Sequence, residues 1–441
     1  MADVRFSYEG ALVPREDIFQ TAEELTPEIG NMMNATSKAY DDERASINLP
    51  DDKGMLSEVR RVIEEKSRLN PEYLIVVGTG GSNLGTIAVQ EAVLGRLYNQ
   101  LDPPTKVLYA DTIDSDYLSK MIEIVEPTLR RNSSILVNGI SKSGTTTETI
   151  ANFEIMVNLL RRYRKDYEDH VVVTSDRGSQ LWNLAIKKGF DVLEIPQKVG
   201  GRYSVLSPVG LFPLGILGID IKELLGGART MRDLCIEEDI EGNPAAVCAA
   251  IQYLHYQGGK TIFDMFLFAN DLESVGKWHR QLMAESLGKE FNRKGERVNI
   301  GMTPTVSIGS TDLHSMAQLY LGGPYDKFTT FVCVEESNSD IDVPRLGDYS
   351  DLVSGIQGKS LKTIMNAILE GTKRAYEEDK RPFVEGTLPN KSERSIGQFL
   401  QFKMIDTIYL GYLLDVNPFD QPSVESYKRE TRKILAGQKM K

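Results

Sequence analysis

Residues 138–149 read NGISKSGTTTET and carry six hydroxyl side chains. They stand between an apolar run, SSILV, and a helix-forming run, IANFEIMVNLLRRYRK. Where a strand turns into a helix, unpaired N–H groups and the positive end of the helix dipole stabilise an anion. Ser141, Ser143, Thr145 and Thr146 add O–H donors and Lys142 a point charge, so the loop could hold a phosphate dianion without a metal. The plainer reading is helix capping, since TTTE has the form of a capping box. One cap needs one hydroxyl, however, and phosphate binding accounts for the surplus. A second stretch, KWHRQLMAESLGKE (277–290), places Gln281 and Glu285 on one helix face, and likewise Glu285 and Lys289. Spacing by itself gives Glu285 no chemistry, because a glutamate on an amphipathic helix is usually just solvated. GGRYS sets Arg202 beside two flexible glycines, which would let a guanidinium approach a ligand or simply serve a turn. His314, in GSTDLHSMAQ, is either an acid–base group or a hydrogen-bonded bystander.

These residues need a frame. Residues 1–70 are polar and helix-prone, with one amphipathic stretch, MLSEVRRVIEEKSRL. From EYLIVVGTGGSNLGT onward, short apolar strands alternate with helices: KVLYA, SSILV, HVVV and DVLEIP each follow or precede a helical run. That alternation predicts a parallel sheet with helices on both faces. It resumes with KTIFDMFLF, TPTVSIGS and FTTFVCVEE, which predicts a second unit of the same architecture. Between them lies GGRYSVLSPVGLFPLGILG (200–218), rich in Gly and Pro, read as a boundary or cleft lining. The expected organisation is an N-terminal helical segment (1–70) packing on the second unit, a first α/β unit (71–230) and a second (231–441). The last ends in a helical tail interrupted by LDVNPFDQPSVE. Ligands of such sheets bind in the crevice beyond the carboxyl ends of the strands. The glycine loop GTGGSNLGT (78–86) occupies such a place, but it fits no nucleotide fingerprint. Asn83 stands where a dinucleotide loop needs glycine, and Thr86 and Ile87 replace the Lys and hydroxyl of a P-loop.

The chain has 441 residues and a net charge of −12, which argues against a nucleic-acid or membrane-surface binder while leaving room for a small anion. The opening MADVRFSYEG shows no signal-peptide pattern, and no apolar run approaches the ~20 residues of a membrane span. Cys235, Cys248 and Cys333 are few and far apart, which suits a reducing cytoplasm. His170, His255, His279 and His314 show neither HExxH nor a partner cysteine spacing, so no metal site is expected.

Taken together, GTGGSNLG, ISKSGTTTET, VGGRYSVLSPVG, QLMAESLGK, GSTDLHSMAQ and NPFDQPSVESYK resemble, in order, the motifs of the glucose-6-phosphate isomerase family. The resemblance spans from about residue 75 to the C-terminus. It implies two sugar-isomerase-type subdomains, each a mainly parallel sheet flanked by helices in three αβα layers, and a reaction of glycolysis and gluconeogenesis that needs no cofactor. It further implies that Gly81 and Ser82 line the sugar site and that Ser141, Lys142, Ser143 and Thr146 hold the phosphate. Glu285 would be the base moving a proton between C2 and C1; a carboxylate held partly out of water suits that task. Arg202 would steady the enediolate, His314 and Lys428 would assist ring opening, and Gln281 and Gln421 would contact the sugar. In the family the site lies at a homodimer interface with the histidine supplied by the neighbouring subunit, so a homodimer is expected. Two features depart from the pattern: Ser423 stands where glycine is usual, which would strain the loop if that position needs positive φ, and Gly144 where many members carry an aromatic. Glu148, beside the phosphate loop, has no role assigned by the resemblance. The alternatives are an isomerase acting also on mannose 6-phosphate and a non-catalytic sugar-phosphate-binding regulator. A glutamine-dependent glucosamine-6-phosphate synthase would need an N-terminal nucleophilic cysteine, and Ala2 is not one.

Overall fold

The structure, a computed structural model, describes residues 3–437; Met1, Ala2 and the last four residues lie outside it. Tyr73–Val77, Lys106–Ala110, Ile135–Ile140, Val171–Ser175 and Asp191–Glu194 form an all-parallel sheet. Its spatial order is second, first, third, fourth, fifth. The strands are apolar throughout because both faces are covered. Leu74, Val76, Leu136 and Val172 point into one core, and Ile75, Val77, Val137 and Val173 into another. Helices Lys53–Ser67, Leu84–Leu94 and Pro208–Ile216 supply the first core, and Ser115–Arg130, Thr147–Tyr163 and Gln180–Lys188 the second.

The second sheet repeats the plan. Ile262–Leu267, Thr303–Ile308, Lys327–Val334 and Phe383–Leu388 are parallel, again in the order second, first, third, fourth. Phe263, Met265 and Leu267 join the core shared with the first sheet, while Phe266 and Phe331 enter an outer aromatic cluster. One hydrophobic core thus runs between the two subdomains. The long helix Glu393–Leu413, buried from Ser395 to Gly411, packs in it against Ile221–Cys235 and Pro244–Gln257.

The N-terminal segment is not helical throughout. Arg5–Ser7 is a strand that pairs antiparallel with Phe383–Leu388 at the edge of the second sheet. Arg15–Glu23 lies against Pro244–Gln257, but Lys53–Ser67 lies against Pro208–Ile216 on the first subdomain. Of the stretch 200–218, read as a boundary or cleft lining, Pro208–Ile216 is a buried helix, whereas Gly201 and Arg202 line a cleft. Pro208 stands at the first helical position, where a missing N–H costs nothing, and the Ser207 side chain accepts from the Val209 N–H. No helix among the described residues is long and apolar enough to cross a membrane.

Candidate active site

In the first sheet, Tyr73–Val77 and Ile135–Ile140 are neighbours, yet the helices that follow them, Leu84–Leu94 and Thr147–Tyr163, cover opposite faces. A crevice therefore opens at their carboxyl ends. It is a cleft of about 580 Å³ between the two subdomains. One wall carries the loops after these two strands, and the other carries the Glu273–Leu287 helix and the chain from Gln421 to Arg432.

The glycine loop brings these walls together. Gly80 has φ +60, the left-handed region, and Gly81 lies against the Gly201–Arg202 peptide. A Cβ on Gly81 would overlap the Gly201 carbonyl and the Arg202 amide, so only glycine permits this approach. Gly81 and Ser82 line the cleft, as the resemblance implied.

Opposite them, Glu285 and Gln281 share a helix face, and the Gln281 amide donates to Glu285 Oε1 at 3.0 Å. Arg202 donates to Glu285 Oε2 at 3.3 Å. Each carboxylate oxygen thus accepts one hydrogen bond and keeps lone-pair capacity toward the cleft, with the side chain 29% exposed. Arg202 itself is buried, its side chain 1% exposed. Its Nε donates to Ser286 Oγ (2.8 Å), one terminal nitrogen to Gln421 Oε1 (2.6 Å) and Glu285, and the other to the carbonyls of Pro418 (2.7 Å) and Asp420 (3.0 Å). A guanidinium has five N–H donors, and all are engaged. To donate to a ligand oxygen, Arg202 must release Gln421 or Glu285; its charge acts without such an exchange.

The hydroxyl wall is arranged differently. Thr146 is the N-cap residue of Thr147–Tyr163, but its side chain accepts no hydrogen bond from the helix, so the capping box is not formed. Ser141 is buried and absent from the cleft lining; its Oγ pairs with Thr146 Oγ1 at 3.2 Å and holds that hydroxyl in place. Ser143 Oγ pairs with Thr145 Oγ1 at 3.2 Å, and both line the cleft. Lys142 lines it too, but its ammonium donates to the carbonyls of Gln197 (2.7 Å) and Val199 (2.9 Å). Burial lowers its pKa, with Arg202 and Lys198 adding to the shift and Asp176 opposing it. Gly144, with φ +68, fits where an aromatic side chain would meet Ser179 and Leu181. Glu148 also lines this wall.

Lys428 lies on the exposed helix Val424–Leu435, lines the cleft, and pairs with Glu425 at 2.7 Å. Ser423, just before that helix, has φ −66 and ψ −28. The expected strain is therefore not found: an ordinary helical conformation suits serine as well as glycine. His314 is exposed, in the turn Thr311–His314 after the Thr303–Ile308 strand, and does not line the cleft of its own chain. Spacing gave no warning of Ser286, which joins Arg202 to the Tyr203 hydroxyl (2.9 Å). Nor did it flag Asp176, on the hydroxyl wall, whose carboxyl burial pushes up to about 6. Asp176 follows directly on the strand Val171–Ser175, the position at which ligand-binding residues of such sheets are found. Among the described residues, no group of three or more His, Cys, Asp or Glu could hold a metal ion.

Comparison with known proteins bears on this site. A family model described as phosphoglucose isomerase matches residues 69–440. The chain is 35% identical over 388 residues to a glucose-6-phosphate isomerase of Carboxydothermus hydrogenoformans, covering 86% of this chain and 81% of the relative. It is 34% identical over 446 residues to that of Rubrobacter xylanophilus, covering 98% of each. Among solved structures, a hypothetical protein from Thermus thermophilus superposes with a TM-score of 0.85 at 30% identity, over 98% of this chain and 100% of that one. A glucose-6-phosphate isomerase from Chlamydia trachomatis, at 19% identity, shares the fold with a TM-score of 0.83 over 98% of this chain and 88% of that one.

Proposed function

The chain belongs to the phosphoglucose isomerase family, and on that premise we propose that it interconverts glucose 6-phosphate and fructose 6-phosphate through an enediolate. The observation that carries the reading is one cleft with two complementary walls. On one, the Glu285 carboxylate is fixed by Gln281 and Arg202; on the other, hydroxyls surround a helix N-terminus that no side chain caps.

Glu285 takes the proton from C2 of the open-chain aldose and returns it to C1. Hydrogen bonds from two directions keep the carboxylate in one orientation while its remaining lone pairs face the sugar. Negative charge that develops on oxygen in the enediolate is stabilised by the buried Arg202 charge, in a site where little water competes. Thr146, Ser143, Thr145 and the first-turn N–H groups of Thr147–Tyr163 hold the phosphate, remote from the reacting carbons, so its binding energy fixes the chain in register. Ring opening moves a proton from O1 to O5, with Lys428 and a histidine as acid and base. Since His314 lies outside the cleft of its own chain, the proposal includes a homodimer in which the neighbouring copy supplies it.

The test is conversion of fructose 6-phosphate to glucose 6-phosphate, followed by a coupled dehydrogenase, for the parent and Glu285→Gln. The parent should turn over and the variant should fall by ~10² or more in kcat. A silent parent that still binds sugar phosphate would replace this reading with the regulator, and turnover of mannose 6-phosphate in parallel would widen the specificity. For the shared site, Glu285→Gln and His314→Ala homodimers, each inactive, are dissociated and re-mixed. Heterodimers should regain activity, because one of their two sites then has both native residues; no recovery would mean that the neighbouring copy does not supply His314.

A further inference from the structure

Resting on that reading, we infer that Lys289 is a positioning residue, which holds the segment Pro418–Gln421 and through it the Arg202–Gln421 pair at the reacting end of the cleft. The Lys289 side chain is 5% exposed. Its ammonium donates to the Glu285 carbonyl (3.0 Å), the Asp420 carbonyl (2.6 Å) and Asp420 Oδ1 (2.8 Å), so all three donors are engaged. The same Asp420 carbonyl accepts from Arg202, as does that of Pro418. Two buried cations therefore grip one short stretch of backbone, and the next side chain, Gln421, closes the loop by accepting from Arg202.

The grip matters because apolar packing holds only the first half of the segment, where Pro418 is buried and Phe419 packs on the core beside Tyr203. It is the wall between the catalytic cleft and a second cleft of about 600 Å³, lined by Phe419, Asp420 and Pro422 on its other side. From Asp420 to Ser423 every residue is exposed. Beyond Phe419 apolar packing gives out, and hydrogen bonds to charged donors take its place. Lys289 is well suited as the anchor. It directly follows the C-terminal turn of the helix that carries Glu285, and its own strand, Lys289–Phe291, is paired to Arg297–Ile300. The register between Glu285 and Gln421 is thus set from the end of the helix that carries Glu285. Arg202 needs the segment as acceptor, and the hydroxyl wall does not touch it, so loss of the anchor should disturb chemistry rather than phosphate binding.

The experiment combines steady-state kinetics with hydrogen exchange on Lys289→Met, which keeps the length of the side chain and removes the donors. The expected result is a kcat lower by about 10- to 100-fold, with KM and competitive inhibition by inorganic phosphate within twofold of the parent. Amide exchange should quicken by about tenfold in the 417–423 peptide and stay at parental rates elsewhere. If Lys289→Met does not fold, Asp420→Ala removes only the exposed carboxylate contact and should lower kcat by about threefold in the same pattern. Unchanged kcat with parental exchange at 417–423 would overturn the inference, as would faster exchange spread over the whole chain. A parent without activity on hexose 6-phosphates would defeat the functional reading alone, because the exchange measurement still decides whether Lys289 holds the segment.

Discussion

The two walls of the cleft are built on opposite plans. On the wall of Glu285, the charged groups are already matched: Arg202 has five acceptors, Glu285 two donors and Lys289 three acceptors. On the wall of the 141–147 loop, hydroxyls pair with each other and with one backbone N–H of the loop, and the helix N-terminus has no side-chain cap. The first arrangement fixes geometry before a ligand arrives; the second leaves donors to be satisfied by one. A proton must be taken from one carbon and delivered to its neighbour, which demands a fixed base. A phosphate dianion can be gripped by several weak donors, none of which needs an exact place.

The contrast can be broken most sharply at Arg202. Arg202→Lys keeps the charge but cannot serve five acceptors in a planar fork. It should lower kcat by about 10²–10³, while inhibition by inorganic phosphate stays near the parental value. The melting temperature should fall as well, since the buried Ser286 hydroxyl and the Pro418 and Asp420 carbonyls lose a donor. A variant with parental kcat would show that the fork is there for stability only.

The next effect belongs to the other wall. Thr146→Ala should raise KM by about tenfold, the loss of one hydrogen bond to a charged group, with kcat little changed. Its stability should fall by about 1 kcal/mol, because the buried Ser141 hydroxyl loses its partner. Unchanged KM would remove Thr146 from phosphate binding and leave it only its hold on Ser141.

How much of this could be read from sequence follows from how far apart the partners lie in the chain. The strands of the first subdomain and three of the four parallel strands of the second, all but Phe383–Leu388, were legible, because alternation within each segment is a local property. So was the Gln281–Glu285 pair, four residues apart on one helix. The partners of Arg202 were not: Ser286 is 84 positions away and Gln421 is 219. No spacing rule reaches that far, and only the recognised motif order brought Arg202, Glu285 and Gln421 into one site. The resemblance left one condition for the backbone to decide. A glycine usual at position 423 raised the question of positive φ, whereas the backbone there is helical and serine fits. The edge strand Arg5–Ser7 was illegible because three residues, paired only at a sheet edge, carry no periodic signal.

The smallest expected effect concerns a group on the hydroxyl wall that is neither matched nor free for a ligand anion. Asp176 Oδ1 is buried without a hydrogen-bond partner. Burial raises the carboxyl to about 6 from an ordinary 3.8, Glu194 adding to the shift and Lys142 opposing it. The folded state therefore binds this proton more tightly than the unfolded chain does. The sign follows from linkage: stability from this group is fully present at low pH and is lost as pH rises from about 4 to about 6, with no further change above. Asp176→Asn removes the ionisation, so the variant should match the parent near pH 4 and exceed it above pH 6. The gain should be about 1 kcal/mol, once the partial exposure of the carboxylate is allowed for. Melting curves of both proteins between pH 4 and 8 measure this directly. A difference that stays constant with pH would mean that Asp176 carries its charge without penalty, and that the hydroxyl wall, like its counterpart, is electrostatically matched before any ligand binds.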